Sequence, residues 1–337
     1  MSAWYEKLGK ADDVVISTRA RLARNIKGFP YSPKLNKDGA EKIVSLVDDA
    51  LSRAHFDGCE FINFSSLSEN KAHSYFEKHY ISSDFLSGVL PKQLVLSEDM
   101  GIAIMINEED HLRIQSIVSG FDIEGAYDTA DKIDSLLSES IEFDFDEKLG
   151  YLTKCPTNLG TGLRLSVMMH LPALTMTKQM AQVLKIAPQL GFTVRGFYGE
   201  GSKASGYIYQ ISNQETLGFS EKGLCEKMES FVSQLIEREK NARKQMYSSA
   251  PTAVEDMVYR AEGALRFARL MSAKEFVDHY CALRLGISLG LCENVKSETL
   301  NKLLIETAAH TLFEESAALP NEGTRDKVRA EHIRSLL

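Results

Sequence analysis

The sequence predicts an α+β fold: an antiparallel β-sheet backed by helices, followed by a small all-helical C-terminal domain. Three observations carry this expectation. Runs rich in Val, Ile and Phe recur at residues 14–18, 59–64, 102–106, 163–169, 192–197 and 207–211. Several of them follow one another through short polar turns, Met100-Gly101 and residues 199–206, where parallel strands would need long crossovers. Past residue 250 the pattern turns wholly helical.

The helices follow from apolar residues three and four apart at 42–52, 127–137, 176–190 and 221–244. The last of these ends before Ser248-Ser249-Ala250-Pro251-Thr252, where proline disfavours a helical predecessor. This is the predicted linker. It divides a catalytic domain over residues 1–250 from a helical domain over 251–337. Within the second part, 254–271, 273–285 and 297–313 read as amphipathic helices. Asn321-Glu322-Gly323-Thr324 supplies a loop and N-cap for a final helix from Arg325. No internal repeat or low-complexity tract stands out.

The 337 residues accommodate two domains of unequal size. A hydrophobic content of 44% with 26% charged residues is ordinary for a globular protein. The net charge of -8 argues against a broad nucleic-acid surface, while leaving room for arginines gathered in a cleft. Residues 1–13 are mixed and polar, without a secretory pattern. The most apolar stretch, 165–176, is too short to span a bilayer and contains His170 and Pro172. Five widely spaced cysteines without a CxxC pair predict reduced thiols in a cytoplasm, with no disulfide framework and no metal site.

Two stretches carry unusual chemistry: Asn107-Glu108-Glu109-Asp110-His111-Leu112-Arg113 and Cys155-Pro156-Thr157-Asn158-Leu159-Gly160-Thr161-Gly162-Leu163-Arg164. A third, Ser17-Thr18-Arg19-Ala20-Arg21, adds two arginines. Moving a γ-phosphoryl group requires neutralised oxygens and an aligned acceptor, and asks little covalent chemistry of the protein. No P-loop is present. Residues 196–203 approach its spelling, but Ser202 precedes Lys203 and a strand pattern follows where a helix belongs. Arginines can serve instead, each offering a planar fork of donors to phosphate oxygens. On a strand, Arg19 and Arg21 share one face. Taken alone that pair also fits a solvated strand face; four arginines in three special contexts do not.

On these three stretches the chain resembles the phosphagen (guanidino) kinase family, and the likeness spans almost its whole length. It extends through Gly150-Tyr151-Leu152-Thr153 and residues 167–174, 195–201 and 210–214. The resemblance implies the guanidino kinase catalytic fold and an enzyme that uses ATP with Mg²⁺. It implies that Arg19, Arg21, Arg113 and Arg164 clamp the phosphates, with help from Ser17, Thr18, Ala20, Leu165, Ser166, Val167 and Met168. His79 matches a position beside the nucleotide, although by itself it reads as an ordinary helix-end histidine. Arg195, Gly196, Phe197, Tyr198, Gly199 and Glu200 would close over the phosphates.

Glu109 is the expected catalytic residue. A guanidinium is a poor nucleophile, and a carboxylate paired with it can orient the attacking nitrogen and accept its proton. On a strand, Glu108 and Asp110 would face away from Glu109 and brace the site. Cys155 matches the family's reactive cysteine, whose thiolate neighbouring cations would favour; alone, a cysteine before proline is as well read as structural. Three departures stand out. Members acting on small guanidines carry an enclosing helical domain before the first arginine motif, whereas here that motif begins at Ser17, which suits an arginine presented on a protein. Lys203 stands where many relatives carry a second guanidinium-holding glutamate. Leu165 replaces a small residue.

The run Arg325-Asp326-Lys327-Val328-Arg329-Ala330 matches the family's phosphoarginine-binding motif. Arg325 and Arg329 are four apart, so both forks are expected on one helix face, suited to a doubly charged phosphoryl group. The implied activity is ATP-dependent phosphorylation of arginine in proteins, with allosteric sensing of the product and a place in stress regulation. Implied partners are protein substrates, a zinc-binding activator protein and a Clp-type unfoldase that consumes marked proteins; a homodimer is also expected. Two alternatives stay open: a kinase for a free small guanidine, and a weakly catalytic phosphoarginine-binding adaptor, which Lys203 keeps in play.

Overall fold

The computed structural model describes residues 3–32, 34–196 and 206–337. A short 3-10 turn (Trp4–Glu6) leads into β1 (Val15–Arg24), then α1 (Lys37–Arg53), β2 (Cys59–Asn63), α2 (Glu69–Glu77) and α3 (Ser83–Ser87). Three strands follow in a meander, β3 (Gln93–Ser97), β4 (Ile102–Ile106) and β5 (Leu112–Ser119), before α4 (Ile123–Ser138). A small hairpin, β6 (Phe145–Asp146) and β7 (Gly150–Tyr151), precedes β8 (Leu163–His170), α5 (Pro172–Met176) and α6 (Met180–Ile186). Then come β9 (Phe192–Gly196), β10 (Ile208–Asn213) and the long α7 (Glu221–Ser249). The C-terminal helices are α8 (Pro251–Phe267), α9 (Ala273–Ser288), α10 (Ser297–Glu306), α11 (Ala309–Leu312) and α12 (Glu322–Leu336).

Among the described residues eight strands form one sheet in the order β2-β3-β4-β5-β1-β8-β10-β9, and neighbours pair antiparallel throughout. The antiparallel sheet backed by helices, and the helical C-terminal region, are as the sequence predicts. Strand alternation separates two faces. Ala20, Leu22, Ile104, Ile114, Leu165, Val167 and Ile211 point into one core with residues of α1, α4, α5, α6 and α7. Ile16, Met105, Ile117, Met168 and Ile208 point the other way, into a second core shared with α2, α3 and the C-terminal helices. Arg19, Arg21, Arg113 and Arg164 stand on this second face, where they line a cleft.

Several local expectations are corrected. The linker between α7 and α8 shrinks to one residue: α7 continues through Ser249, Ala250 alone leaves helical geometry (φ -148, ψ 60), and Pro251 sits at the start of α8. Proline lacks only an N–H that the first turn leaves unpaired anyway, so so short a break suffices. The helix expected over 176–190 is interrupted at Lys178, whose φ is +63, and ends as a 3-10 turn (Ala187–Leu190) containing Pro188. The final helix starts at Glu322, ahead of the expected Arg325, because Asn321 itself caps it by accepting from the Thr324 N–H. Strands β3 and β5 lie outside the runs that the sequence marks as strands. β3 is buried throughout, so it lacks the alternation of a half-exposed strand; β5 does alternate over Leu112-Arg113-Ile114-Gln115, with the polar side chains turned to the cleft.

Candidate active site

The cleft opens on the second sheet face and has about 450 Å³ of free volume. Register sets its floor. Arg21 on β1 stands directly opposite Arg164 on β8, and Ala23 opposite Arg113 on β5. Like charges placed directly across a ladder are unfavourable, so the sheet holds an arrangement that an anion would relieve. Burial, then Arg113 and Arg164, push the Arg19 guanidinium down to about 9. Burial and the same neighbourhood push Arg21 well below its ordinary value, and its buried Nε has no hydrogen-bond partner among the described residues. Arg19 donates from Nε to Ser166 at 3.2 Å, and Arg164 donates to Ser212 at 3.4 Å.

Arg113 is held by a carboxylate. Its Nη1 donates to Glu108 Oε1 at 2.6 Å, with the carboxylate buried. Burial by itself would lower Arg113, but Glu108 outweighs it and holds the guanidinium above its usual value. Conversely, burial would raise Glu108, and Arg113 with the hydroxyl of Ser82 holds it below the usual carboxylate range.

Glu108, Glu109 and Asp110 lie on a tight turn between β4 and β5, not on a strand. Asn107 adopts a left-handed conformation (φ +64) that asparagine tolerates. Its N–H donates to the carbonyl of His111 at 2.8 Å and its side chain donates to the Ala40 and Pro91 carbonyls. The expectation that Glu108 and Asp110 face away from Glu109 therefore fails: a turn gathers neighbours that a strand would alternate, and all three line the cleft. Burial, then the charges of Asp110 and Glu108, push the Glu109 carboxyl above its usual range. His111 lies beneath, accepting the Ile26 N–H through Nδ1 at 3.0 Å while Nε2 meets the Pro30 carbonyl at 3.1 Å.

Cys155 comes to the same cleft from the loop before β8, with Sγ 3.0 Å from the hydroxyl of Thr157. The Lys154 N–H donates to Asp110 Oδ1 at 2.7 Å, and Asn25 donates to the same oxygen at 2.7 Å. His79 lies just past α2 in a left-handed conformation (φ +64). Its carbonyl accepts from Gln115 at 2.8 Å, and burial with nearby Arg19 pushes its imidazole down to about 3. Arg195 on β9 also lines the cleft, and Gly196 closes that strand.

Of the residues singled out in the sequence, Arg19, Arg21, His79, Glu109, Arg113, Cys155, Arg164 and Arg195 share this cleft. Ser17, Ser166 and Met168 lie beside Arg19 and His79 in an adjoining recess. The side chains of Ala20, Leu165 and Val167 are buried in the core on the opposite face, and Thr18 donates to the Gly120 carbonyl at 2.7 Å; these four line neither the cleft nor the recess. Phe197, Tyr198, Gly199, Glu200 and Lys203 fall outside the described residues. The cleft also takes in Gln115, Ser82 and Ser212, none of which the sequence singles out as a site residue. Same-face alternation from Arg113 points to Gln115, and Ser212 lies within the 210–214 stretch that carries the resemblance; Ser82 follows three residues after His79.

The two forks expected together at 325 and 329 are not equivalent. Arg329 is 2% exposed. It donates to the carbonyls of Thr307 and Met271 at 2.9 and 2.8 Å and pairs with Asp326 at 2.7 Å. Arg325 is half-buried, Val328 is half-buried, Lys327 is exposed and Ala330 is buried. The helix turns Arg329 inward because α12 packs on α8 and α11, so the two arginines do not lie free on one face.

Residues 42–242 match the family model of the ATP:guanido phosphotransferase C-terminal catalytic domain, and the chain belongs to that family of phosphotransferases. Residues 251–337 match a second family model, the protein-arginine kinase McsB C-terminal domain. A protein-arginine kinase of Clostridium acetobutylicum is 40% identical over 319 residues, covering 93% of this chain and 93% of its own. One of Halalkalibacterium halodurans is 42% identical over 339 residues, covering 100% and 95%. The branch of the family is thus that of the protein-arginine kinases. Among solved structures, lombricine kinase has the same fold, with TM-score 0.61 at 24% identity over 75% of this chain and 72% of that one. The duplicated taurocyamine kinase of Schistosoma mansoni has TM-score 0.60 at 26% identity, over 78% of this chain and 39% of that one.

Proposed function

We propose that this cleft binds ATP and transfers its γ-phosphoryl group to the guanidino group of an arginine side chain in a protein. The observation that carries the reading is that Arg19, Arg21, Arg113, Arg164 and Arg195 line one cleft together with Glu109. Burial, then mutual repulsion, lower Arg19 and Arg21, and a triphosphate matches their donors. The substrate class comes from kinship with chains named protein-arginine kinase.

In this reading Arg19, Arg21 and Arg164 hold the phosphates, and Arg113, positioned by Glu108, completes the clamp. His79 stays neutral beside them and packs against the nucleotide. A substrate guanidinium pairs with the Glu109 carboxylate. Its terminal nitrogen attacks the γ-phosphorus, the bond to the bridging oxygen breaks, and ADP leaves. The proton released from that nitrogen passes to Glu109, whose raised affinity for a proton suits the task. Cys155 lies where its sulfur can rest against the guanidinium. Among the described residues no cluster of three or more His, Cys, Asp or Glu is arranged for a metal; Mg²⁺ brought on the nucleotide would neutralise β- and γ-phosphate oxygens.

We assign the wider setting by kinship alone. It comprises a cytoplasmic homodimer, a zinc-binding activator, and a Clp-type unfoldase that consumes the marked proteins under stress. Phosphoarginine sensing through residues 325–330 also belongs here and requires Arg329 to exchange its internal partners for a ligand. No helix among the described residues is long and apolar enough to cross a membrane.

The test incubates the protein with Mg-ATP and an arginine-rich polypeptide and seeks acid-labile phosphate on arginine by mass spectrometry. Label found only on hydroxyl side chains, or none at all, would overturn the reading. Cys155→Ser with unchanged turnover would reduce Cys155 to packing.

A further inference from the structure

We infer that the β6–β7 hairpin and the adjoining loop at residues 215–219 form a docking rim for a flexible, positively charged polypeptide segment flanking the reacting arginine. This inference rests on the proposed function and names how the acceptor is held. The two segments are packed as one surface. Gly150 (φ +75) lies so close to Gly160 that a side chain there would meet the Gly160 carbonyl oxygen at 2.5 Å. Gly160 (φ +110) in turn lies against Thr216 and Leu217, whose backbone a side chain would meet at 2.7 and 2.8 Å. The hydroxyl of Thr216 donates to the carbonyls of Thr157 and Leu159 at 3.1 and 2.6 Å. Hairpin, Cys155 loop and 215–219 loop therefore make one continuous rim beside Thr157 and Asn158, which line the cleft.

The rim's chemistry is unlike that of the arginine floor. It exposes apolar side chains: Phe145 is 57% exposed, Leu149 44% and Leu217 46%. Around them stand Glu142, Asp144, Asp146 and Glu147, four carboxylates against the single Lys148 within residues 142–149, with exposed Glu215 across the rim. Lys27 pairs with Glu142, Lys154 is also exposed nearby, and Lys227 lies over the Phe219 ring of the loop at 4.8 Å, so the acidic excess belongs to the hairpin and Glu215 and is not uniform over the rim. Glu147 and Glu215 are both exposed to solvent. Apolar anchors in an acidic surround complement a segment that mixes apolar and basic residues.

The rim is also held in fixed relation to the reacting carboxylate. The Arg24 guanidinium lies 3.5 Å from the centre of the Tyr151 ring, and Tyr151 stacks edge-on against Phe145 at 5.2 Å. Asn25 donates to both Asp110 Oδ1 and the Leu152 carbonyl. A segment lying on the hairpin therefore presents its arginine at a set distance from Glu109, which a small guanidine does not need.

The experiment compares the full-length protein with Glu147→Lys/Glu215→Lys and, separately, Phe145→Ser. Three acceptors are used: a peptide with one central arginine flanked by lysine and leucine, the same peptide flanked by glutamate, and N-acetyl-arginine amide. Binding of a fluorescent lysine-flanked peptide is measured by anisotropy in parallel. The charge-reversal variant is expected to raise KM and Kd for the lysine-flanked peptide about tenfold, at unchanged kcat. It should lower KM for the glutamate-flanked peptide and leave N-acetyl-arginine amide and ATP affinity unaffected. Phe145→Ser should weaken both peptides and spare the small acceptor. Equal changes for peptide and small acceptor, or unchanged peptide Kd, overturn the docking rim. Absence of phosphoarginine on every acceptor, with the Kd shifts intact, would instead overturn the proposed reaction and leave the rim standing.

Discussion

Asp110 accepts the backbone N–H of Lys154 at 2.7 Å, and that bond joins the turn carrying Glu109 to the loop carrying Cys155. Asp110 is 3% exposed and also accepts from Asn25, so its carboxylate is a fastening between segments 44 residues apart. The two candidate catalytic side chains are open to the cleft, but their spacing is set by a neighbour that is almost wholly buried.

Asp110→Ala is therefore expected to lower kcat by about 100-fold, since small misplacements of reacting groups cost that much. It should destabilise the fold by about 1–3 kcal/mol through the unpaired Lys154 and Asn25 donors. Urea denaturation and nucleotide titration check it: ATP affinity should change little. A variant with parental kcat would show that the fastening does not matter to the reaction.

Glu109→Gln should reduce kcat by roughly 100- to 10,000-fold, the range for loss of a general base, with ATP binding retained. The pH dependence carries more information. Because burial and the charges of Asp110 and Glu108 raise the Glu109 carboxyl, the rate should fall on acidification at a higher pH than an ordinary carboxylate would give. Asp110→Asn removes one of those charges and should move this acid limb to lower pH. An unmoved limb would assign it to another group.

His79 makes a stability prediction. Its folded-state value is pushed down to about 3, against about 6.5 for an unperturbed histidine. The unfolded chain then binds the extra proton as pH falls below about 6.5, so the contribution is present above that value and is lost toward about 3. Each pH unit inside that window costs about 1.4 kcal/mol. His79→Asn tolerates the φ of +64 and should lose stability less steeply over the window. Parallel pH profiles of unfolding free energy for parent and variant would refute it.

Arg329→Ala should destabilise the helical region by about 3 kcal/mol or more, because it removes buried hydrogen bonds and strands Asp326. Arg325→Ala should cost less than about 1 kcal/mol, since that side chain is only half-buried. Thermal unfolding of the two single variants separates them. Equal losses would mean that the pair acts as a unit.

The sequence by itself determined the kind of sheet, the helical C-terminal region and many of the residues that the cleft gathers. Antiparallel topology was legible because short turns cannot join parallel strands, and Arg19 and Arg21 were legible as a pair because strand alternation is local. Only the tertiary structure decided the register that sets Arg21 opposite Arg164, the turn that gathers Glu108, Glu109 and Asp110, and the inward rotation of Arg329. Each of these depends on which distant segment a residue meets: a ladder partner, a donor such as Lys154, a carbonyl such as that of Thr307. Spacing along one chain settles which side chains share a face, and packing between segments settles what that face encounters.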